Sequence, residues 1–410
     1  MIYHYKNQRH RYIISEIQKT GRVSVTSLAK TLKVATRTIR RDIKELALTG
    51  RISPCYGGAT LVANPEHNLY DNSQLYLYQN MNITNVLSSS ATDHSREKGG
   101  NVFIIGSFNT DLVYRVNDFP LSGESIRAIN SCCLPGGKGS NQAIACAMAG
   151  GRTHFTVKLG DDEFAQKAQL FLRGLMLEQL TCFEKKNCPT GSAVVMVSET
   201  AGDNAIIINP GANQTFTVDE IISCYDDISH SQVFLTQMEN NPDATALAIK
   251  FAHACGVTTI LNPAPWRTEV NDLIPWTTII TPNLTEAGAI VGKALQTRDD
   301  IQQAAEDIYA NGARFVLITL GKAGCWLYDG DKHREFSAFP AVNVDTSGAG
   351  DAFNGALAAR LAEGESLESA IVYASAFAAL AVEREGASNM PEHETVLEKI
   401  NEFNDKRFEK

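Results

Sequence analysis

The stretch VDTSGAGDAFNG, residues 344–355, places an aspartate on either side of a Ser-Gly-Ala-Gly turn. It follows FPAVNV, residues 339–344, which has the pattern of a strand, and it leads into AFNGALAARLAEG, which predicts a helix ending at Gly364. The turn is therefore expected at a helix N-terminus, where free backbone N–H groups and the helix dipole bind anions. Glycine and alanine let a phosphate approach the backbone closely. This strand–turn–helix pattern predicts an α/β fold with an anion site.

Asp351 lies beside this predicted anion site, at the start of the helix. A carboxylate next to a bound phosphate can accept the proton of a hydroxyl group that attacks the phosphate, which is general-base catalysis of phosphoryl transfer. The alternative is that Asp351 only caps the helix. The turn by itself leaves both interpretations open.

A second Gly-rich turn, LPGGKGSNQA at residues 134–143, also opens a predicted helix. It contributes Lys138 and Asn141, whose side chains can form hydrogen bonds with hydroxyl groups. Its spacing differs from that of a Walker A motif. The stretch GSFNTD adds Asn109 and Asp111 after another predicted strand. Together these side chains suit a ligand that carries many hydroxyl groups.

Strands and helices alternate after residue 100. The apolar runs NVFIIGS, FTVKLGDD, TTILNPAP, TIITPNLTE and FVLITLGKAG are separated by helical stretches such as SNQAIACAMAG and TRDDIQQAAEDIYANG. This order predicts a largely parallel sheet with ligands bound beyond the carboxyl ends of its strands. Residues 112–137 and 190–213 break the alternation and predict hairpins of a small sheet that covers the site.

The first 60 residues have the opposite charge to the rest of the chain. They contain 12 Lys and Arg against 3 acidic residues, whereas the remainder contains 25 basic and 43 acidic residues. A basic segment of this kind is expected to attract a polyanion. Its sequence predicts helices, with Ile39, Ile43 and Leu46 on one buried face, followed by a β-wing in RISPCYGGATLV.

The length of 410 residues predicts two or three domains. Residues 64–100 are polar and lack a sustained period, which predicts a linker; the alternative is a divergent part of a neighbouring domain. We therefore expect three segments: an N-terminal domain at 1–63, a linker at 64–100 and an α/β domain at 101–410.

Composition and termini predict a cytoplasmic protein without a membrane partner. The chain has no apolar run of the ~18 residues that a transmembrane helix needs, and the N-terminus lacks a secretory apolar region. The nine cysteines form no CxxC pair, which indicates reduced thiols that serve as packing residues.

Residues 101–400 resemble a ribokinase of the PfkB carbohydrate kinase family. GGKGSNQA resembles the first family signature and DTSGAGDAFNGAL the second; between them, TPNLTEA resembles the Asn-x-x-Glu motif and TLGKAG the nucleotide-binding turn. The resemblance implies an ATP-dependent carbohydrate kinase. It also implies an α/β fold, with a three-layer ribokinase-like domain and a small β-sheet lid.

The resemblance implies roles for matching positions. Asp351 would activate the terminal hydroxyl of the sugar, and the backbone of Gly348, Ala349 and Gly350 would stabilise charge on the transferred phosphate. The sugar hydroxyls would be bound, beside Asp351, by Asn109, Asp111, Gly137, Lys138, Asn141 and Glu239.

The resemblance also implies a nucleotide and cation site. Asn283 and Glu286 would organise Mg²⁺ and the phosphates of ATP, and the ATP site would be lined by Thr319, Gly321, Gly324 and Ser375. Ser375 stands where the family often has Asn or His near adenine. A monovalent cation, usually K⁺, would be bound by Asp345 with the backbone of Ser347, Ala381, Arg384, Gly386 and Met390. Met390 stands where many ribokinases have Ser, so only its backbone could serve.

D-ribose is the expected sugar, because every sugar-facing position that can be matched is retained. Relatives in the family act on 2-deoxyribose, and more distant ones on fructose derivatives or nucleosides. One hydroxyl contact changes binding by only ~1–3 kcal/mol, so the alternatives stay open.

The N-terminal segment resembles a DeoR-type helix-turn-helix, and TIRRDIKEL is the most diagnostic part of it. VSVTSLAKTL fits the preceding helix and GGAT fits the end of the wing, which makes this a winged helix-turn-helix domain. A double-stranded DNA operator would be contacted by Thr36, Arg37, Thr38, Arg40 and Arg41. Ala35 stands where the family usually has Ser, and Thr36 could cap the helix instead.

Three functions are consistent with this organisation: a bifunctional kinase and DNA-binding regulator, a kinase with a vestigial head, and a sugar-sensing regulator whose kinase domain is inactive. The first is favoured, because both Asp351 and the basic recognition helix are intact. A homodimer is expected, since lids of this family often pair and two heads suit two half-sites.

Overall fold

The structure is a computed structural model that describes residues 6–20, 22–48, 52–55, 58–61, 100–201 and 203–408. The chain divides into two compact units, Met1–Ser89 and Ser90–Lys410. The predicted linker at 64–100 lies outside the described residues except for Gly100. No helix within the described ranges is both long enough and apolar enough to cross a membrane.

The N-terminal unit consists of three helices and a small antiparallel sheet. Its elements are α1 (Lys6–Thr20), β1 (Arg22–Ser24), α2 (Val25–Leu32), α3 (Thr36–Leu48), β2 (Ile52–Cys55) and β3 (Gly58–Leu61), with strand order β1-β3-β2. The hairpin of β2 and β3 confirms the predicted wing. Ile39, Ile43 and Leu46 are buried with Ile13 and Leu32, as the helical pattern predicts.

A buried ion pair joins α1 to α3. Nε of Arg9 lies 2.8 Å from Oδ2 of Asp42, and Nη2 of Arg9 lies 3.1 Å from Oδ1. Nε2 of His10 lies 3.3 Å from the same Oδ1. Asp42 is fully buried, so these contacts replace the water that its carboxylate loses on folding.

The second unit begins with β4 (Asn101–Ile105) and alternates strands with helices. Its further elements are β5 (Asn109–Val116), β6 (Asn130–Gly136), α4 (Lys138–Met148), β7 (Arg152–Leu159), α5 (Glu163–Arg173), β8 (Gln179–Glu184), β9 (Ser192–Ser198), β10 (Asp203–Asn209), α6 (Val218–Ser223), α7 (Tyr225–Ser229), β11 (Val233–Thr236), α8 (Pro242–Ala254), β12 (Thr258–Leu261), α9 (Val270–Leu273), β13 (Ile279–Ile280), α10 (Leu284–Val291), α11 (Arg298–Ala310), β14 (Phe315–Thr319), β15 (Cys325–Tyr328), β16 (His333–Phe336), α12 (Ala349–Ala362), α13 (Leu367–Ala381) and α14 (His393–Phe408).

Nine strands form the central sheet, in the order β16-β15-β14-β13-β12-β11-β4-β7-β8. The strands from β14 to β8 run parallel, and β15 and β16 add an antiparallel edge. Both faces are covered, because alternate residues of β4 belong to two different apolar clusters: Val102 and Ile104 to one, Phe103 and Ile105 to the other. Helices on both faces of a mostly parallel sheet give the predicted three-layer α/β domain.

A separate four-stranded sheet, in the order β10-β9-β5-β6, confirms the two predicted hairpins. We call this sheet the lid. Its β5 carries Asn109 and Asp111, and its edge strand β10 exposes Ile206, Ile207 and Ile208. The lid therefore presents apolar side chains to solvent in the single chain.

Two sequence predictions are wrong in detail. FPAVNV is not a strand: Val342 and Val344 are 75% and 61% exposed, and the backbone N–H of Val344 donates to the carbonyl of Val382 rather than to a neighbouring strand. Apolar composition alone does not make a strand where no partner strand lies alongside. Cys132 and Cys133 are exposed on β6, so they are not packing residues, unlike the buried Cys146.

Candidate functional site

The Gly-Ala-Gly turn lies at the start of α12, as predicted. Gly348 precedes the helix with φ of +75°, and a Cβ atom there would lie 2.8–2.9 Å from atoms of Ala387. Ala349 and Gly350 form the first residues of the helix, so their N–H groups point out of its N-terminal end. The N–H of Ala349 also lies 3.3 Å from the carbonyl oxygen of Thr346. The positive φ and the contact with Ala387 favour glycine at position 348.

Asp351 is 5% exposed and its carboxylate is held by two side-chain amides. Nδ2 of Asn141 donates to Oδ2 at 3.1 Å, and Nε2 of Gln142 donates to Oδ1 at 3.0 Å. The carboxylate of Asp351 thus contacts side chains of α4, in addition to its place in the first turn of its own helix.

Gln142 was missed by the sequence analysis, although it stands next to Asn141 in the quoted motif. Its Oε1 accepts a hydrogen bond from Nε2 of Gln237 at 2.6 Å, and its Nε2 also lies 3.1 Å from Oδ1 of Asn262. Gln237 and Asn262 directly follow β11 and β12. These amides link Asp351 to the carboxyl ends of two parallel strands.

Asn109 and Asp111 both lie on β5 of the lid. Asn109 is buried, and its Oδ1 accepts a hydrogen bond from Nδ2 of Asn213 at 2.9 Å. Burial raises the pKa of Asp111 to about 7, and the negative charge of Glu239 adds to the shift. A Cβ atom at Gly136 would lie 2.1 Å from Oδ2 of Asp111, so glycine there leaves room for this carboxylate.

Glu239 and Lys138 are brought together with Asp351. Oε2 of Glu239 accepts hydrogen bonds from the backbone N–H of Lys138, at 3.0 Å, and from the hydroxyl of Ser107. The charge of Asp351 raises the pKa of Lys138, burial works in the opposite direction, and Glu239 and Glu286 raise it further. Lys138 is therefore a cation held among three carboxylates.

A cavity of about 170 Å³ lies beside Asp351. It is lined by the predicted residues Lys138, Asn283, Glu286, Thr319, Gly348, Ala349, Gly350 and Asp351, and by Asn262, Ala264, Thr281, Thr346 and Asn354, which were not predicted. Asn354 accepts a hydrogen bond from Thr281 at 2.6 Å and donates to the carbonyl of Gly350 at 2.8 Å. The cavity thus joins the anion turn to the ends of the central strands.

Asn283 and Glu286 form a reciprocal cap of α10. Oδ1 of Asn283 accepts from the N–H of Glu286 at 2.8 Å, and Oε2 of Glu286 accepts from the N–H of Asn283 at 2.9 Å. Burial raises the pKa of Glu286, and Lys138 is among the groups that lower it. One carboxylate oxygen of Glu286 is thereby committed to the helix.

The predicted nucleotide turn follows β14. Gly321 and Gly324 have φ values of +57° and +99°, and a Cβ atom at Gly324 would lie 1.9 Å from the carbonyl oxygen of Phe336. Thr319 forms an isolated bridge with Asn283. Ser375 lies within α13, and its hydroxyl donates to the carbonyl of Ile371 at 2.8 Å. Its hydroxyl is therefore engaged by its own helix.

Hydrogen bonds link most of the residues that were predicted to surround a monovalent cation. The carboxylate of Asp345 accepts from the N–H of Ser347 at 2.8 Å and from the N–H of Gly386 at 3.0 Å. The carbonyl of Ala381 accepts from the N–H of Arg384. The Met390 side chain is packed in the apolar core, and its carbonyl accepts from Nη1 of Arg384 at 3.0 Å. Met390 therefore offers no side-chain oxygen to a cation.

Within the described ranges no group of three or more His, Cys, Asp or Glu side chains could hold a metal ion. A cation here would rely on backbone carbonyls, phosphate oxygens and water beside single carboxylates, which is a usual arrangement for Mg²⁺ with a nucleotide.

The recognition helix α3 presents a basic surface. Thr36, Arg37, Arg40 and Arg41 are exposed and Thr38 is half-buried. The helix begins at Thr36, so this residue lies inside the first turn rather than at the cap. The carbonyl of Ala35 accepts hydrogen bonds from the N–H groups of Thr38 and Ile39, and its methyl group can accept none.

Two family models match separate parts of the chain. Residues 100–394 match the pfkB family carbohydrate kinases, and residues 9–64 match the DeoR-like helix-turn-helix domain.

Similar proteins match the larger part. A bifunctional ribokinase/ribose-5-phosphate isomerase A of Fructilactobacillus sanfranciscensis is 34% identical over 308 residues, which is 73% of this chain and 56% of that longer protein. A deoxyribokinase of Salmonella typhi is 31% identical over 74% of this chain and 98% of its own length. The structure of Arabidopsis thaliana ribokinase complexed with ribose and ATP is 32% identical, with a TM-score of 0.67 over 74% of this chain and 99% of that chain.

Proposed function

Since the chain belongs to the pfkB family of carbohydrate kinases and carries a DeoR-like helix-turn-helix domain, we propose that it is bifunctional. In this proposal it transfers a phosphate from ATP to a sugar, converting D-ribose to D-ribose 5-phosphate, and it binds an operator as a transcriptional regulator. The observation that carries the kinase half is the carboxylate of Asp351, held by two amides beside the N-terminus of α12.

In the proposed reaction Asp351 accepts the proton of the sugar's terminal hydroxyl. The oxygen attacks the γ-phosphorus of ATP, the bond from phosphorus to the bridging oxygen breaks, and ADP leaves. The N–H groups of Ala349 and Gly350, and the turn at Gly348, stabilise the charge on the transferred phosphate. The ammonium of Lys138 faces the same cavity and adds positive charge there.

The sugar would be held between the lid and the central sheet. Asn109 and Asp111 would contact it from β5, and Glu239, Asn141 and the backbone of Gly137 from the sheet side. Thr319, Gly321, Gly324 and Ser375 would line the site for ATP. Asn283 and Glu286 would organise Mg²⁺, which supplies neutralisation of phosphate charge. Asp345, with carbonyls of Ser347, Ala381, Arg384 and Gly386, would hold K⁺ without a side-chain oxygen from Met390.

Asp351→Asn tests the kinase half. The purified chain is given ATP, Mg²⁺ and D-ribose, 2-deoxyribose, fructose or nucleosides, with and without K⁺. We expect turnover with ribose to exceed turnover with the others, and the variant to lose it by about 10²–10⁴-fold while it still binds DNA. Folded wild-type protein that binds ATP or sugar and turns over none of them would support a sugar-sensing regulator with an inactive kinase domain.

The preference for ribose over 2-deoxyribose rests on the retained polar groups of the lid and not on overall identity. A bifunctional ribokinase/ribose-5-phosphate isomerase A and a deoxyribokinase match this chain at 34% and 31% identity, and this small difference does not identify the sugar. The comparison of kcat/KM for the two sugars therefore decides the substrate.

DNA binding is supported by the three exposed arginines of α3. We expect Arg40→Ala to weaken operator binding by about 1–3 kcal/mol if Arg40 reads a base, or to reduce the salt dependence by about one phosphate contact. Lys332→Ala removes the same charge from the other unit. We expect it to change neither the affinity for the operator nor the salt dependence of binding. Wild-type binding that is weak and independent of sequence would favour a kinase with a vestigial head.

The proposed homodimer would pair the lids of two chains. The support is the apolar surface of β10, where Ile206, Ile207 and Ile208 are 52–64% exposed. We expect a dimer in sedimentation and a shift toward monomer in Ile207→Lys. A monomeric wild-type protein at micromolar concentration would contradict the pairing.

A further inference from the structure

Gln142 is fully buried and contacts the candidate base without lining the cavity. We propose that Gln142 is a positioning residue for phosphoryl transfer, which fixes the orientation of the Asp351 carboxylate from the rigid end of the central sheet. The inference rests on the role proposed above for Asp351.

The two oxygens of Asp351 are held by two consecutive residues of α4. Gln142 donates to Oδ1 at 3.0 Å, and Asn141 donates to Oδ2 at 3.1 Å. Each oxygen accepts about two hydrogen bonds when ionised, so each keeps capacity for the proton of a substrate. Rotation of the carboxylate would break both amide contacts. The pair therefore selects one orientation of the carboxylate.

The orientation of Gln142 is itself determined by its neighbours. Its Nε2 must face Asp351, because an ionised carboxylate only accepts hydrogen bonds. Its Oε1 then faces Nε2 of Gln237, at 2.6 Å. Oδ1 of Asn262 provides a second acceptor for Nε2 at 3.1 Å, and Nδ2 of Asn262 donates to the carbonyl of Thr281. Three neighbouring strand ends thus fix the amide plane that touches Asp351.

Loss of this support should slow the chemical step more than it weakens binding. Gln142 has no surface in the cavity, so it cannot contact sugar or ATP directly. A misplacement of a reacting group by about 1 Å can lower a rate by ~10²-fold. We therefore expect a change in kcat with little change in KM.

The test compares Gln142→Met with Gln232→Met in the full chain. Oε1 of Gln232 accepts a hydrogen bond from the N–H of Asn101 at 2.8 Å, just before β11 begins, so the control removes a comparable amide far from Asp351. We expect Gln142→Met to lower kcat by about 10- to 100-fold with the KM for sugar within about threefold. Gln232→Met should keep the kcat and the KM of the wild-type protein. Unchanged kcat in folded Gln142→Met would overturn the inference.

A second variant, Gln142→Glu, keeps the size of the side chain and adds a pH signature. At low pH the protonated carboxyl can still donate to Asp351, whereas on ionisation it repels Asp351. The ratio of kcat between variant and wild type should therefore fall as pH rises. Lys138 and Glu286, the other charged groups around Asp351, are present in both proteins. A ratio that does not depend on pH would overturn the inference, and so would failure of both variants to fold, since that indicates a purely structural role.

Failure of the proposed function can be distinguished from failure of the inference about Gln142. If Asp351→Asn keeps turnover, Asp351 is not the base and the inference falls with it. If Asp351→Asn is inactive while both Gln142 variants keep the kcat and pH profile of wild type, only the positioning role of Gln142 is wrong.

Discussion

The hydroxyl of Ser388 lies 2.9 Å from Oδ1 of Asn141, 247 positions earlier in the sequence. The same hydroxyl lies 2.9 Å from the carbonyl oxygen of Pro135 on β6 of the lid. A serine has one proton, so it donates to one of these acceptors at a time. Because Asn141 donates to Asp351, the side chains of Ser388 and Asn141 together connect the lid to the candidate base.

Ser388→Ala should therefore weaken the coupling between the lid and Asp351. Removal of one neutral hydrogen bond is worth about 0.5–1.5 kcal/mol, so we expect kcat/KM for the sugar to fall roughly two- to tenfold. The control is Ser366→Ala, which removes the side chain that caps α13, away from the cavity. Steady-state kinetics at several sugar concentrations measure the effect. Equal kcat/KM in wild type and Ser388→Ala would show that the contact plays no part in the reaction.

Glycines with positive φ flank α12 at both ends and provide a matched pair. Gly348 at the start has φ of +75° and Gly364 after the end has φ of +87°. A Cβ atom at Gly348 would meet Ala387 at 2.8–2.9 Å, whereas one at Gly364 would meet no atom within 4 Å. Both alanine variants should lose about 1–2 kcal/mol of stability, because alanine disfavours this backbone region. Gly348→Ala should lose more, because its Cβ atom would also overlap with the backbone of Ala387. Only Gly348→Ala should also lose kcat, by about 10²-fold or more, since it displaces the anion turn.

Thermal unfolding and kinetics on both variants separate the two effects. Comparable losses of activity in Gly348→Ala and Gly364→Ala would mean that strain in the helix, and not the anion turn, controls turnover.

Asp111 predicts a pH dependence of stability. Burial raises its pKa to about 7 in the folded chain, from an ordinary value of 3.8. Folding therefore favours the protonated carboxyl group of Asp111. The resulting stabilisation of the folded chain is fully present below about pH 4 and is lost as the pH rises to about 7. One pKa unit corresponds to about 1.4 kcal/mol, but solvent reaches part of this side chain, so we expect about 1–2 kcal/mol.

Asp111→Asn removes this titration. The variant should gain stability relative to wild type by that amount between about pH 4 and about pH 7, measured by denaturant unfolding of the sugar-free protein. It should also bind sugar more weakly, because it loses a charged acceptor. A stability difference that does not change with pH would contradict the raised pKa.

Substitution of Asp42 should strongly lower the stability of the N-terminal unit. Asp42→Asn removes the anionic partner of Arg9 and His10 in a site where Asp42 is fully buried. Breaking a buried pair costs about 3–5 kcal/mol, so the unit that carries α3 should unfold at lower temperature and operator binding should fall. Glu16→Gln is the control, because the pair of Glu16 with Lys19 is more exposed and is worth about 0.2–1 kcal/mol. Calorimetry of the full chain measures the transition; equal shifts in the two variants would contradict the role of burial.

The residues that the sequence predicted well stand at boundaries of elements. Asp351 and Lys138 follow Gly-rich turns at the starts of helices, and Asn283 stands at the cap of α10, so local patterns are sufficient to single them out. The three layers could likewise be predicted, because buried parallel strands leave short apolar runs between helices. In all these cases the information lies within about ten residues along the chain.

The role of Gln142, which the sequence did not predict, depends on distant neighbours. Gln142 and Asn141 are adjacent on a helix, where successive side chains point about 100° apart. That both reach the same carboxylate follows from the placement of Asp351, 210 and 209 positions away. The error at residues 339–344 has a similar origin: the segment is apolar, but no neighbouring strand is available to pair with it.

The apolar core of the N-terminal unit is drawn from residues between Tyr12 and Leu46, whereas the candidate active site needs contacts that extend to Ser388. During synthesis on the ribosome, the recognition helix is therefore complete long before the sugar pocket can close. A premature stop codon or a proteolytic cut after residue 61 would release a fragment that keeps the recognition helix and lacks the kinase. Such a fragment would keep the exposed arginines of α3 and would lack the cavity beside Asp351.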